Sequence, residues 1–98
     1  MKITDIIELG SALEVDKDHI LKEFQKGSLL LINLKPQEYA YEQHDNVDEM
    51  IIAFKGSFIL ETESKEVIIP EGSMITVPRG VKHRFGNESD ALVLVAFG

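Results

Sequence analysis

After Gly27, short apolar runs alternate with polar segments along the chain. Glycine, proline, asparagine or aspartate stands in most of the polar segments, and runs bounded in this way are typical of β-strands. The strands that this pattern predicts are residues 28–34, 39–44, 49–54, 57–62, 65–69, 74–77, 81–85 and 91–97. About eight strands with no helix between them predict an all-β sandwich or barrel. Within this pattern, Lys55-Gly56 is predicted to be a two-residue hairpin turn, because glycine adopts the positive φ that such turns need.

Residues 1–27 show a less regular pattern. Residues 4–9 fit either a short strand or a turn of helix. In residues 16–25, Asp16 or Asp18 can cap a helix, and apolar residues follow at spacings of three to four, so this segment has the features of a helix that Lys26-Gly27 would end. These apolar residues are Ile20, Leu21 and Phe24. The alternative is an irregular arm that lies over the sheet.

No linker or low-complexity segment interrupts the chain, so we predict one domain. Residues 1–27 would form a short irregular or helical arm that packs on a barrel formed by residues 28–98. Two predicted strands, Leu29–Ile32 and Leu92–Phe97, are apolar on both faces and need to be covered on both. The arm or a second subunit would cover the outer face. A homodimer is our prediction, and a monomer that folds residues 1–27 over this face is the alternative.

Composition narrows the possible functions. A chain of 98 residues is long enough for one core, and its net charge of −7 with scattered lysines and arginines excludes a nucleic-acid backbone as an expected partner. No apolar run approaches the ~20 residues that a membrane helix needs, and no signal peptide is evident. We therefore expect a cytoplasmic protein. The absence of cysteine excludes disulfides and thiolate metal sites.

The residues best suited to acid–base chemistry or metal binding lie around one predicted turn. Glu42 and His44 are two residues apart, so in an extended strand their side chains share a face. Residues 45–48 are polar and turn-prone, and Glu49 then opens a new apolar run. A reversal of the chain between His44 and Glu49 would bring the three side chains together.

His83 is the fourth residue of interest. It shares strand parity with the apolar Val81 and Phe85, whereas Lys82 and Arg84 have the opposite parity. His83 should therefore point inward and the two cations outward. An inward histidine in a small barrel is either a hydrogen-bonded core residue or a metal ligand.

The segment around His83 resembles a known family. Residues Gly72–Asn87 match the second cupin motif, G-x5-P-x-G-x2-H-x3-N, at every fixed position. The sequence is therefore similar to the cupin superfamily, in particular to the small single-domain cupins related to mannose-6-phosphate isomerase. This similarity describes the sequence and does not assign the reaction.

The first cupin motif, G-x5-H-x-H-x3,4-E-x6-G, is matched in part. His44, Glu49 and Gly56 stand at the second histidine, the glutamate and the final glycine. Glu42 replaces the first histidine, and Pro36 replaces the leading glycine. The resemblance spans about residues 28–97, which is most of the chain.

The resemblance implies a double-stranded β-helix, or jelly-roll barrel, that holds one metal ion. Carried over by position, the ligands are His44, Glu49 and His83, with Glu42 at the remaining ligand position. Imidazole and carboxylate donors suit a divalent transition metal, and the second carboxylate favours Fe or Mn first, then Zn or Ni. The alternative is a buried histidine–glutamate network without metal, in which two nearby carboxylates raise the pKa of one of them.

Three functions are compatible with this site. The first is a metal-dependent enzyme that acts on a small oxygen-rich substrate of the sugar, enol or 2-oxo acid type, with the metal as Lewis acid or oxygen-activating centre. Glu42 would then be a ligand or a general base. The others are a non-catalytic barrel that binds or senses a small ligand, and a structural barrel with a degenerate site. We expect a small-molecule partner and neither nucleic acid nor membrane.

Overall fold

The computed structural model describes residues 1–98 and contains one short helix and seven β-strands. Helix α1 is Ile6–Ser11. The strands are β1 (His19–Phe24), β2 (Gly27–Leu34), β3 (Glu49–Glu61), β4 (Glu66–Ile69), β5 (Met74–Val77), β6 (Arg84–Phe85) and β7 (Asp90–Phe97). This architecture confirms the predicted all-β fold with a short helix near the N-terminus. No helix is both long enough and apolar enough to cross a membrane.

The long strand β3 organises the sheet. The strand order is β1-β2-β7-β3-β4, and β5 and β6 also pair with β3; all these pairs are antiparallel. The first part of β3 pairs with β5, and its last residues pair with β4 and β6. Between them the register with β7 shifts at Ala53/Lys55, as in a β-bulge. Because a bulge bends its strand, β3 can belong to both walls of the barrel.

The predicted hairpin turn at Lys55-Gly56 was wrong, since β3 runs through both residues. The positive φ was predicted correctly, because Gly56 has a φ of 74°. This conformation serves the packing of β3 against β7, where a Cβ at Gly56 would collide with the carbonyl oxygen of Asp90. A local signal for positive φ does not distinguish a turn from an irregular position inside a strand.

The predicted helix in residues 16–25 was also wrong. Residues 19–24 form the edge strand β1, which turns through Gln25-Lys26 into β2. Ile20 and Phe24 remain exposed, so the helical spacing of the apolar residues does not reflect a buried helix face. Gly27 lies inside β2, where a Cβ would collide with the carbonyl oxygen of Phe97, and it caps no helix. Pairing with a neighbouring strand outweighs local helix propensity here.

Two other predicted strands are shorter than expected. Residues 39–44 contribute one isolated bridge, Glu42 with His83, and the strand predicted at 81–85 is reduced to β6. The single bridge nevertheless places these two segments side by side, so that Glu42 and His83 are neighbours.

Helix α1 covers part of the outer face of the sheet. Its first turn is capped by the Asp5 carboxylate, which accepts hydrogen bonds from the backbone N–H groups of Ile7 and Glu8, both at 3.0 Å. Gly10 packs so closely that a Cβ would lie 3.2 Å from Leu92 and 3.5 Å from Leu31. The helix of the same chain thus covers these two leucines. The predicted homodimer stays a prediction.

The core lies between the two walls of the barrel and is almost entirely apolar. Its centre contains aromatic side chains in edge-to-face contact: Phe85 lies 5.6 Å from both Phe58 and Tyr39, measured between ring centroids. The Tyr39 hydroxyl donates to the Lys35 carbonyl at 2.6 Å and accepts from the Lys35 N–H at 3.0 Å, so its polar end is satisfied. Four other polar side chains are buried: Asn33 and Ser89 form hydrogen bonds to the backbone, and Glu49 and His83 lie together at one site.

Candidate metal centre

Three backbone segments bring the four predicted residues together. Glu42 and His83 face each other across the isolated bridge, with Glu42 N–H donating to the His83 carbonyl at 2.7 Å and His83 N–H donating to the Glu42 carbonyl at 2.9 Å. The carbonyl of His44 accepts from the Gly80 N–H at 2.7 Å, which holds this strand-like segment against the turn before His83. Glu49 is the first residue of β3. The reversal between His44 and Glu49 therefore occurs as the sequence predicted.

The side chains converge on one point. One ligand atom from each of Glu42, His44, Glu49 and His83 can be chosen so that all four atoms lie within 4.8 Å of one another. Glu49 Oε1 is central, 2.7 Å from His83 Nε2 and 3.6 Å from His44 Nε2. Glu42 Oε2 lies 3.9 Å from His44 Nε2. The structure thus brings together all four candidate ligands, and their role as ligands stays a prediction.

The cluster lies at the inner wall of a cavity of about 450 Å³. Glu49 is buried at its base, with 4% of its surface exposed, and His83, with 3% exposed, contacts Glu49 without lining the cavity itself. His44 is half-buried, and Glu42 is exposed near the mouth. The cavity is lined by Asp16, Lys17, Asp18, Leu30, Ile32, Glu42, His44, Glu49, Phe85, Val95 and Phe97. A ligand that enters would meet Glu42 before it reaches Glu49.

The hydrogen bonds of His83 define which ring nitrogen faces the cluster. Its Nδ1 lies 2.8 Å from the Val81 carbonyl oxygen, which can only accept, so Nδ1 carries a proton. In a neutral imidazole, Nε2 then has a lone pair, and it points at a carboxylate oxygen of Glu49 only 2.7 Å away. Two lone pairs at this distance repel each other unless a cation lies between them. A proton or a metal ion satisfies this requirement.

His44 presents a second unsatisfied nitrogen. Its Nε2 is buried and has no hydrogen-bond partner, while its ring packs edge-on against Phe97 at 4.9 Å between centroids. Leaving a buried polar atom unpaired costs about 1–3 kcal/mol, and coordination of an ion by this nitrogen would remove that cost. Two imidazole nitrogens and two carboxylates also form a donor set that suits a divalent transition metal. The residues therefore fit such an ion.

The electrostatics of the cluster favour protonated forms when no metal is considered. Although much of its side chain is exposed, the Glu42 carboxylate is partly withdrawn from water inside the cavity, which raises its pKa; the neighbouring charge of Glu49 raises it further, while His44 and His83 partly offset both effects. Burial alone would lower the pKa of His83. The hydrogen bonds to Glu49 and Val81, together with the charges of Glu49 and Glu42, outweigh burial and raise the pKa of His83 above its ordinary value.

Neighbouring side chains outside the cluster point away from it, as their strand parity predicted. Tyr41 lies under Arg84 and Lys82, whose cationic groups are 4.4 and 5.0 Å from its ring centroid. Arg84 also pairs with Glu61 at 3.1 Å. These three side chains form an outer surface opposite the cluster.

Sequence reasoning missed the acidic mouth of the cavity. Asp16 and Asp18 were interpreted as helix caps, yet they line the cavity on the segment that precedes β1. Asp16 is the only non-glycine residue with a positive φ, 63°, and its N–H donates to the Asn33 carbonyl at 2.9 Å. Its position depends on a bridge between Val15 and Asn33. These residues are far apart in the sequence, so no local pattern predicts the contact.

Comparison with known proteins gives a consistent result. Residues 30–97 match the family model described as the cupin domain. No curated protein matches the sequence significantly. Solved structures that resemble the chain share its fold at low sequence identity.

Three of these structures illustrate the similarity. A cupin-2 domain containing protein from Shewanella frigidimarina has a TM-score of 0.82 and 15% identity, over 96% of this chain and 91% of the other. An RmlC-like cupin protein from Desulfovibrio desulfuricans has a TM-score of 0.79 and 17% identity, over 100% and 96%. A sugar phosphate isomerase from a cupin superfamily, from Silicibacter pomeroyi, has a TM-score of 0.68 and 21% identity, over 82% and 57%.

Proposed function

This chain belongs to the cupin family, and on that premise we propose that it is a metal-dependent protein that acts on a small, oxygen-rich organic substrate. Glu42, His44, Glu49 and His83 would hold one divalent transition metal, with Fe or Mn preferred over Zn or Ni because two of the four donors are carboxylates. The substrate would enter the cavity that ends at these residues.

The observation that carries the proposal is the contact between His83 Nε2 and Glu49 Oε1. The Val81 carbonyl fixes the proton on Nδ1, so the lone pair of Nε2 and a carboxylate oxygen meet at 2.7 Å at the base of the cavity. A hydrogen bond that orients a metal-binding histidine through its other nitrogen is a common feature of metal sites. The unpartnered Nε2 of His44 completes the set of nitrogen donors.

A metal bound here supplies a Lewis acid for an oxygen atom of the substrate. The chain itself supplies the surroundings. Apolar residues such as Leu30 and Val95 line the cavity and would exclude water from around a bound substrate. Glu42 lies at the mouth with a raised pKa, so its carboxylate is suited to exchange a proton with a substrate hydroxyl or carbon acid. Glu42 would then act as a general base, as a ligand, or as both in turn.

The substrate class of sugars, enols and 2-oxo acids follows from the donor set, since these compounds present oxygen atoms to a hard ion. One structural neighbour is named a sugar phosphate isomerase, which supports sugars as a class to test. At 21% identity this neighbour supports the fold and not the reaction.

A second candidate is a barrel that binds or senses a small ligand without catalysis or metal. The observation in its favour is the same short contact, because a proton on His83 Nε2 would also satisfy Glu49 as an imidazolium–carboxylate pair. Metal content distinguishes the two candidates directly.

The test is elemental analysis of the protein after purification without chelator and after anaerobic loading with Fe²⁺ or Mn²⁺. We expect close to one metal ion per chain, which the His44→Gln variant should largely lose. His19→Gln is the matched control, because His19 lies on β1 outside the cluster and its substitution should leave the metal content unchanged. Wild-type protein that retains no metal even after loading would contradict the proposal and favour the metal-free barrel.

A further inference from the structure

The charges around the cavity narrow the class of its ligand. We propose that the ligand is an uncharged polyhydroxy compound, such as a sugar or polyol without phosphate or carboxylate, and that Asp16 and Asp18 at the mouth exclude anions. This inference rests on the proposed function, because it concerns the same cavity with its metal in place.

The cavity is lined by four carboxylates and one ammonium group. With neutral histidines the formal charge of the lining is −3, and a divalent ion at the base would leave it at −1. The positive charge of the ion would lie at the inner end, next to Glu49, while Asp16 and Asp18 are exposed at the outer end. An anion would therefore pass through a region of negative potential before it met any positive charge.

Only one cation of the chain lines the cavity, and its side chain is largely exposed. Lys17 is the only cation that lines the cavity; its side chain is 65% exposed, and its Nζ lies 3.9 Å from the Glu14 carboxylate. Arg79, near the turn before His83, pairs with Asp48 through its backbone N–H at 2.9 Å and its Nε at 3.5 Å. Sites that recognise phosphate or carboxylate ordinarily provide arginine, lysine or several backbone N–H groups, and the side chains of this cavity provide one exposed lysine, no arginine and four carboxylates.

Hydroxyl groups suit both ends of the cavity. An ionised carboxylate only accepts hydrogen bonds, so Asp16 and Asp18 at the mouth require donors. The metal at the base requires a lone pair. A hydroxyl group offers both, whereas an ammonium group offers only donors and a carboxylate offers only lone pairs.

The remaining wall suits the carbon skeleton of such a compound. Phe85 and Phe97 line the cavity together with three aliphatic side chains. A sugar presents a C–H face and an edge of hydroxyl groups, so one side can pack on the phenylalanines while the other bonds to carboxylates. This division of the lining into an apolar wall and an acidic mouth explains why both kinds of residue occur in one small cavity.

The acidic mouth is held in place by the backbone. The N–H of Asp16 donates to the Asn33 carbonyl, and the amide of Asn33 donates to the Leu13 carbonyl at 3.0 Å. Asp16 adopts a left-handed conformation that aspartate and asparagine tolerate better than most residues. Asp16→Asn therefore removes the charge while it preserves the preferred backbone, which makes it a clean test.

The experiment measures binding of glucose, gluconate and glucose 6-phosphate to the Mn²⁺-loaded protein by calorimetric titration, with sorbitol, xylose and glucosamine as further probes. The wild-type protein should bind at least one of the three neutral compounds, and should bind both anions about tenfold more weakly than the neutral compound that binds most tightly, or not at all. In the variant Asp16→Asn/Asp18→Asn, anion affinity should rise about tenfold while neutral affinity stays within twofold. The matched control is Glu66→Gln/Glu88→Gln, which removes two exposed charges outside the cavity lining and should leave the affinity ratio unchanged.

Tighter binding of glucose 6-phosphate or gluconate than of glucose by the wild-type protein would overturn the inference, and so would a preference for glucosamine. Failure of all neutral probes to bind a fully metal-loaded protein would also overturn it. Each of these results leaves the metal site intact. If the proposed function is wrong, the protein will not bind metal at all. A wrong ligand class and a wrong function therefore give different results.

Discussion

The interior of the barrel contains two regions that are equally buried but are stabilised differently: one by apolar packing, the other by a cation between two polar groups. Around Phe58, which is 1% exposed, apolar side chains fill the space and need no further partner. Around Glu49 and His83, at 4% and 3% exposure, two groups meet that require a cation between them. The first region gains stability from burial itself, and the second loses stability unless a proton or metal is present. The two regions should therefore respond differently to substitution, metal and pH.

The largest effect should come from the apolar region. Phe58→Ala removes a ring that lies against Phe85 and should lower the free energy of unfolding by about 3–5 kcal/mol. Urea denaturation of the metal-free protein measures this change. Ile68→Ala is the control, because Ile68 on β4 is 68% exposed and its truncation should change stability by only ~0.5 kcal/mol. An equal loss in both variants would show that Phe58 does not belong to a tightly packed core.

In the polar region the effect should depend on whether one or both partners change. His83→Leu leaves Glu49 buried without its partner and should destabilise the metal-free protein by about 3 kcal/mol. The double variant Glu49→Leu/His83→Leu should recover much of that loss, because it removes both polar groups at once. Additive losses in the same denaturation experiment would show that the pair is not coupled in the folded protein.

A smaller effect is expected at the mouth. Glu42→Ala should weaken metal affinity by about tenfold, or ~1.4 kcal/mol, without a comparable loss of stability in the metal-free protein. Competition with a chelator of known affinity measures the change. Glu38→Ala removes an exposed carboxylate that is not part of the cluster and should have no effect. Unchanged affinity in Glu42→Ala would show that His44, Glu49 and His83 suffice.

The smallest effect should be a dependence of stability on pH that has opposite signs in the metal-free and the metal-loaded protein. In the metal-free protein the pKa of His83 is raised, so its pair with Glu49 stabilises the fold fully below the unfolded pKa of about 6.5. This contribution is lost as the pH rises through the folded pKa. Metal binding needs the deprotonated imidazole, so the metal-loaded protein should instead gain stability as the pH rises. Thermal unfolding from pH 5 to pH 9, with Mn²⁺ or with chelator, compares the two trends, and parallel trends would contradict a shared site.

The strand pattern predicted the all-β class, and the resemblance to the cupin motifs implied that His83 meets Glu42, His44 and Glu49 at one site. Strand parity places His83 inward and Arg84 outward, and the structure agrees. The turn between His44 and Glu49 follows from local composition in the same way. Strand parity and the turn can be predicted from neighbours in the chain, whereas the contact of His83 with the other three residues joins distant segments and was predicted only from the family resemblance.

The features that the sequence did not predict depend on contacts between distant segments. β1 forms because β2 offers it a partner, although residues 16–25 have helical spacing. β3 continues through Gly56 because β7 packs against it there. Asp16 reaches the cavity through the bridge between Val15 and Asn33. In each case pairing with a distant segment outweighs the local sequence signal, and the sequence of one segment does not identify the segment with which it pairs.

The position of β7 has a consequence for how the protein is made. β7 lies between β2 and β3 at the centre of the sheet, although it is the last strand in the sequence. While a ribosome still holds these residues in its exit tunnel, β2 and β3 lack the neighbour that joins them. The barrel therefore cannot close during synthesis until residue 97 has emerged. Until then the edges of β2 and β3 that pair with β7 are unpaired and can bind other chains. Chaperones that cover these edges would act before β7 is available.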